Sequence, residues 1–395
     1  MNSLSADLDV LVLGAGAAGL FCAIEAARRG RRVAVLDHAK APAEKIRISG
    51  GGRCNFTNLH CAPDRFISGN PRFAASALAR YTAADFVARI NRAGIAWHEK
   101  TLGQLFCDGS ARQVVDMLVG DLLDAGAALH LGVHLGDIRQ DSGFVVETSI
   151  GQMRAASLVV ATGGKSIPKM GATAFGYRVA ENFGLRVTET RPGLVPLTFG
   201  AGVVEGMRAL AGLSVQAEVS CGRARFAEGL LLTHRGLSGP SILQISNYWR
   251  EGQGIRVNLA PGQDVAAHLA GLRSTGGRGA VQGALAGVVP ERLARALAEW
   301  AGLSGNLADQ SKSSLAQLVA QVSDWQLVPV GSEGYRTAEV TLGGVDTRDL
   351  DARTLQARSV PGLFFVGEVV DVTGWLGGYN FQWAWSSGWA AGQVA

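Results

Sequence analysis

Three glycines near the start of the chain, Gly14, Gly16 and Gly19, have the spacing that suits a phosphate, and an acid, Asp37, follows about 20 residues on. Gly14 permits a tight turn, Gly16 lets backbone approach a pyrophosphate, and Gly19 lets a helix pack close to a sheet. Asp37 stands where a carboxylate meets a ribose hydroxyl. A second stretch, Lys45-Ile-Arg47-Ile-Ser49-Gly50-Gly51-Gly52-Arg53-Cys54-Asn55, is neither helix nor ordinary strand at its glycines. It reads as a loop with bare backbone N–H groups that could lie along a ring system or a phosphate, with Arg47 and Arg53 offsetting phosphate charge. A third constellation, Ala161-Thr162-Gly163, ends another apolar run.

The elements that position these residues follow from the pattern around them. Asp9-Val-Leu-Val-Leu13 is a short apolar run of buried-strand type, and Leu20 to Arg29 is helical. The helix N-terminus would present unpaired N–H groups and a partial positive charge to the phosphates. Gly30 ends the helix, and Arg31 to Leu36 forms a second strand that delivers Asp37. Ser157 to Ala161 is a buried strand lying beside the first in a parallel sheet. The fold class is therefore α/β, with a Rossmann-type dinucleotide site.

Composition narrows the rest. With 395 residues, of which 47% are hydrophobic, the chain can build two or three domains. Its 53 glycines sit between apolar runs and suit tight turns rather than a linker. Net charge is +4, the basic residues are scattered, and no block of like charges or aromatic-interleaved basic stripe argues for nucleic acid. Five cysteines without a C-x-x-C suggest neither a disulfide framework nor a zinc site. The first residues carry no signal-peptide pattern, and the apolar run before Gly14 is too short to span a bilayer, so a soluble, cytoplasmic protein is expected.

Along the chain, Asn70-Pro71 predicts a helix start, Thr82-Ala-Ala-Asp85 a capping box, and Ser110 a third helix start. Strands are expected at Ala128 to Leu131, Val133 to Ile138, Phe144 to Ser149 and, separately, Gln152 to Ala155 and Ser157 to Ala161. After Pro196 the character shifts to β alternation, then at residues 262–322 to helical spacing, and from about residue 335 back to strand and glycine. Three regions follow: a discontinuous dinucleotide domain (1–194 and 335–395), a β-barrel-like insert (195–261 and 323–334) and a helical subdomain (262–322).

Gly14 to Gly19, Ser49 to Asn58, Ala161 to Gly164 and the run Gly367-Glu368 through Gly378-Tyr379-Asn380-Phe381 to Gly388 together resemble the bacterial BaiN/YhiN-type flavoproteins, which include aminoacetone-oxidase-like proteins. Thr341-Leu-Gly-Gly344 and Val360 to Glu368 are more distantly similar to fumarate reductase and succinate dehydrogenase flavoprotein subunits. The resemblance implies a glutathione-reductase-like FAD domain with an inserted barrel and helical subdomain. It places Gly14, Ala15, Gly16, Ala17, Ala18 and Gly19 at the pyrophosphate, Asp37 at the adenosine ribose and Leu135 at adenine. It places Ser49 to Asn55 around the riboflavin half, Ala161, Thr162 and Gly163 under the pyrophosphate side, and Gly367-Glu368 at the ribitol. Gly378, Tyr379, Asn380 and Phe381 would open the last helix at the flavin pyrimidine, where a helix N-terminus stabilises negative charge.

The resemblance thus implies non-covalent FAD and an FAD-dependent oxidoreductase acting by hydride transfer. The substrate expected is a small molecule held between flavin and insert. No second glycine-rich dinucleotide motif is present in 195–335, so NAD(P)H enters only as a transient donor, and no cysteine pair suits a disulfide reductase. Arg336, Thr341, Tyr379, His234 and Arg235 are substrate-side candidates with core, cap or solvated-turn roles as alternatives; no catalytic residue, substrate or oligomeric state is specified. The alternative function is a flavin-dependent sensor or assembly factor whose FAD state controls a protein partner.

Overall fold

The computed structural model describes residues 8–395; the first residues, read above for a leader, lie outside them. The chain divides into two compact units, Met1–Arg191 with Val340–Ala395, and Pro192–Glu339.

The first unit is built on a parallel core. Strand β1 (Leu8–Leu13) enters the sheet, turns at Gly14 into helix α1 (Ala17–Arg28), and returns as β2 (Val33–Asp37). β1 is fully buried from Val10 to Leu13, as a continuous apolar run in the middle of a sheet must be. Its neighbours are β2 on one side and Met153–Val160 on the other, both parallel. Ala128–Leu131 extends the sheet beyond β2, and Leu363–Phe365 pairs in parallel with the far half of Met153–Val160.

The separate strands expected at 152–155 and 157–161 are one strand, Met153–Val160, and it changes role along its length. Its first half alternates buried and exposed residues and pairs antiparallel with Phe144–Thr148; its second half is buried on both faces between parallel neighbours. The change of hydrophobic pattern within the run is the change of environment, and it does not mark a break. The helix start expected at Asn70-Pro71 also moves: the helix spans Phe73–Arg80 and has no side-chain cap. The Thr82 capping box with Asp85 forms, and Ser110 caps Ala111–Asp124 together with Gln113.

The C-terminal helix, Tyr379–Gly392, lies against α1 at backbone distance. A methyl added at Gly388 would sit 2.5 Å from the Ala18 carbonyl oxygen, and one at Gly392 would sit 2.8 Å from that of Cys22. Arg29 donates to the carbonyls of Gly392 and Ala395 at 2.9 and 3.1 Å. Arg89, with a side chain only 6% exposed, satisfies its charge on Asp121 and Glu25 and covers the Phe21 ring.

The second unit carries a seven-stranded sheet. Its strand order is Trp325–Leu327, Ile255–Asn258, Ser214–Cys221, Ala224–Leu232, Gly236–Ser238, Leu197–Thr198 and Gly331–Ser332. Helices Val265–Ser274, Val281–Leu285, Glu291–Trp300 and Lys312–Ser323 follow, with the ring of Trp300 5.6 Å from that of Trp325. Among the described residues no helix is long and apolar enough to cross a membrane, and no His/Cys/Asp/Glu cluster could hold a metal ion.

Candidate functional site: a dinucleotide cradle

The glycines at the β1–α1 turn are there for two different reasons. Gly14 has φ +109°, and a Cβ on it would lie 2.4 Å from the Ala161 carbonyl oxygen; at Gly19 the added atom would be 1.9 Å from the Gly14 carbonyl oxygen. These two let strand, turn and helix pack together. Gly16 is different: nothing lies within 4 Å of a Cβ there. The open space stands before the N-terminus of α1, which has no side-chain cap and no acid in its first turn. Bare N–H groups, a positive dipole end and open space beside Gly16 fit a pyrophosphate.

Ala15 is buried, and its N–H donates to Asp37 at 2.6 Å. The other carboxylate oxygen of Asp37 accepts from the Ala39 N–H at 2.8 Å. Asp37 thus stands at the edge of the glycine turn with lone pairs left for a hydroxyl. Ala17 and Ala18 begin α1, and Ala18 is packed under the C-terminal helix. Leu135 is half-buried and pairs with Thr148 at the start of Leu135–Gln140. At the end of β2, Leu131 pairs with Asp37 and the Val133 N–H donates to the Asp37 carbonyl at 2.9 Å.

Helix α2 (Glu44–Gly52) is regular only in its first part. Ser49, Gly50 and Gly51 leave helical geometry, and the three glycines take φ of +56°, +66° and +85°. No atom lies within 4 Å of a Cβ on Gly51 or Gly52, whereas one on Gly50 would meet the Phe106 ring at 2.7 Å. The loop therefore has one backed and one open side, as a surface for a flat ring system requires. Ser49 bonds back to the Ile46 carbonyl, Arg47 pairs with Glu44 at 2.9 Å, and Arg53 is exposed. Cys54 is fully buried at φ +53°, and burial pushes its thiol far above the ordinary range, so it is packing rather than a nucleophile.

Glu368 draws the other pieces together. Its carboxylate accepts from the Lys45 ammonium at 2.6 Å, the Ser166 hydroxyl at 2.9 Å and the Thr341 N–H at 2.8 Å. Burial pushes the carboxyl up, but Lys45 and these hydrogen bonds outweigh it and hold Glu368 below the usual carboxylate value. Lys45 also donates to Ser166 at 2.7 Å. The Thr341 hydroxyl accepts from the N–H groups of Lys165 and Ser166, so it shapes the loop after Gly163. Ala161 accepts the close approach of Gly14, Gly163 lies beside Glu368, and the Thr162 hydroxyl is buried with no partner among the described residues. Gly367 donates its N–H to Ser387.

At the far end, Gly378 (φ +95°) opens the C-terminal helix against Asn55 and the Thr57 carbonyl, leaving no room for a side chain. The Asn55 amide lies 3.2 Å from that of Gln104. The side chains of Tyr379, Asn380 and Phe381 turn elsewhere: Tyr379 packs on Phe66 and Trp375, Asn380 ties the Gly374–Trp375 turn, and Phe381 stacks on Trp385. What this segment could offer a ligand is its backbone. Trp383 and Trp385 are core, donating to the carbonyls of Gly367 and Phe56. Ser166 and Gln104 were missed from sequence because neither belongs to a glycine motif; the structure delivers them from separate strands and loops.

These residues fit FAD: a phosphate-accepting helix end, an acid at the neighbouring strand end, an open glycine surface and a fixed carboxylate between them. The comparisons agree. Residues 8–394 match the family described as HI0933-like protein Rossmann domain. The chain is 48% identical to the ribosomal RNA dihydrouridine synthase of Escherichia coli, over 98% of this chain and 97% of that one. It is 43% identical to the protein of the same name from Haemophilus influenzae, over 96% of each. It is 27% identical to a 3-dehydro-bile acid delta(4,6)-reductase of Clostridium scindens, over 97% of this chain and 98% of the relative. In fold it is similar to a 3-ketosteroid-delta4-(5alpha)-dehydrogenase of Rhodococcus jostii, with TM-score 0.52, 15% identity, and 99% and 98% of the two chains covered. It is also similar to a flavocytochrome c3 fumarate reductase, with TM-score 0.50, 17% identity, and 99% and 78% covered. The chain belongs to the HI0933-like family of FAD-binding Rossmann proteins and is an FAD-dependent oxidoreductase.

Proposed function

We propose that this oxidoreductase reduces a carbon–carbon double bond conjugated to a carbonyl, and that its substrate is uridine in ribosomal RNA. The observation that carries the reading is the likeness, end to end, to two relatives named ribosomal RNA dihydrouridine synthase. Dihydrouridine differs from uridine by two electrons and two protons across C5=C6, a bond conjugated to the C4 carbonyl. A delta(4,6)-reductase acting on a 3-dehydro-bile acid addresses the same kind of bond, so the more distant relative supports the same reaction class. FAD, when bound, supplies the two-electron chemistry. The chain's own part is to hold phosphates at α1, the ribitol at Glu368 and Lys45, and the ring against Gly50 to Gly52 and the start of the C-terminal helix. NAD(P)H is the proposed donor.

The test is direct. Purified holoprotein with NADH or NADPH is given unmodified ribosomal RNA, and dihydrouridine is measured by mass spectrometry of the nucleosides. Dihydrouridine appearing among the nucleosides, and only when NADH or NADPH is present, supports the reading. Flavin bleaching by NAD(P)H without any dihydrouridine, but with consumption of a conjugated enone, moves the protein to the small-molecule reading that the bile-acid relative favours.

A further inference from the structure

The antiparallel sheet of the second unit carries a polar groove of about 670 Å³ that belongs to no part of the FAD cradle. Its lining includes Arg223, Arg225, Arg256 and Ser220, with Glu218 and Asp324 at the sides. Register explains the grouping. Ser220 on Ser214–Cys221 stands directly opposite Arg225 on one neighbouring strand and Arg256 on the other. With strands ~4.8 Å apart, the two arginines are rooted about 10 Å apart with a hydroxyl between them. Arg223 projects from the adjoining hairpin turn and is exposed. Arg225 and Arg256 pair with Glu218 and Asp324, yet both guanidinium side chains are about two-thirds exposed, at 67% and 65%. Asp324 holds Arg256 in a bidentate pair at 2.6 and 2.7 Å, whereas Arg225 meets Glu218 through one contact at 3.2 Å. An exposed single contact is weak, so a phosphate can take the Arg225 guanidinium from its carboxylate, with Arg223 beside it.

We infer that this groove binds the phosphodiester backbone of the RNA substrate; the inference rests on the reading of the substrate as ribosomal RNA. No aromatic side chain lines the groove, so it contacts phosphate and sugar rather than stacked bases, and it positions the RNA without reading its sequence.

The experiment compares wild-type holoprotein with an R223Q/R225Q variant and a charge-retaining R223K/R225K variant. Binding to a ribosomal RNA transcript is measured across 0.05–0.3 M salt. Each lost single-strand phosphate contact removes about 0.7 from the slope of log K against log salt. Two lost contacts lower the slope by about 1.4 and weaken binding about 25-fold at 0.1 M salt. The Lys pair keeps the salt slope and holds binding within ~3-fold of wild type, because counterion release depends on the charge and not on guanidinium geometry. Flavin content and NAD(P)H bleaching are unchanged in both. A Gln variant with wild-type affinity and slope overturns the inference, as does a wild type that binds no RNA at low salt. Dihydrouridine yield at saturating RNA is scored separately: a wild type that binds through these arginines but makes none refutes the catalytic reading and leaves the groove standing.

Discussion

Replacing Gly14 and Gly16 in turn by alanine separates what the glycine turn does for the fold from what it does for the ligand. At Gly14 the new methyl would lie 2.4 Å from the Ala161 carbonyl oxygen and 2.8 Å from its carbon, on a backbone held at φ +109°. Neither side can yield cheaply, because Gly14 donates to Leu36 and Ala161 donates to Leu13, both at 2.8 Å. Backbone strain of about 1–3 kcal/mol and a steric cost of similar size place the expected loss at about 2–6 kcal/mol. At Gly16 the methyl meets nothing within 4 Å, and the backbone, at φ −81°, suits alanine. The apo fold should therefore lose less than about 1 kcal/mol, chiefly because alanine is a poorer N-cap. The same methyl would stand where the pyrophosphate approaches, so FAD affinity should fall at least about tenfold, about 1.4 kcal/mol. Apoprotein of each variant would be unfolded in urea, comparing midpoints at unchanged slope. FAD would then be titrated by quenching of its fluorescence. G16A binding FAD as tightly as wild type would refute the assignment of that open space to the phosphates. G14A with an unchanged midpoint would refute the packing argument.

Other expectations follow from the same geometry. K45M should weaken FAD binding about tenfold and E368Q should do likewise, with the double variant losing less than the product of the two, because each residue is the other's partner at 2.6 Å. Glu368 is held below its ordinary value, so its contribution is complete above about pH 4.5 and is lost as pH falls through the lower folded value. Wild-type stability should therefore drop on acidification below about pH 4.5 more steeply than that of E368Q, as read from urea midpoints. T82A removes a capping box and should cost about 1 kcal/mol with FAD affinity unchanged; a change in affinity would mean the helix does more than pack. Burial pushes the Cys22 and Cys61 thiols up to about 12, and that of Cys54 higher still. Iodoacetamide at pH 8 should label none of the three until the protein is unfolded, as mass spectrometry of the peptides would report.

Much of the cradle can be read locally. Gly14, Gly16, Gly19 and Asp37 are close in sequence, and one strand–turn–helix–strand unit places them. The helix cap at Thr82 and the break at Ser49 to Gly51 are equally local. What escaped is what the sheet order decides. Ser166 reaches Glu368, and Gln104 reaches Asn55, only after strands far apart in the chain pair. The side chains of Asn380 and Phe381 are fixed by tertiary contacts, to the Gly374–Trp375 turn and to Trp385, that local pattern does not reveal. Periodicity misjudged Met153–Val160 because one strand passes through two environments.

The parallel core closes only when Leu363–Phe365 takes its place beside Met153–Val160 and the C-terminal helix settles backbone to backbone on α1. At synthesis rates of about 5–20 residues per second, some 350 residues separate β1 from that strand and hence about 20–70 s. Over that interval on the ribosome, the glycine turn has been made while its sheet is incomplete and its helix lacks its cover. The second unit, continuous in sequence, has no such wait and can fold while the first is still being assembled. A cradle that needs Leu363–Phe365 and the C-terminal helix should therefore be complete only after the last residues are made.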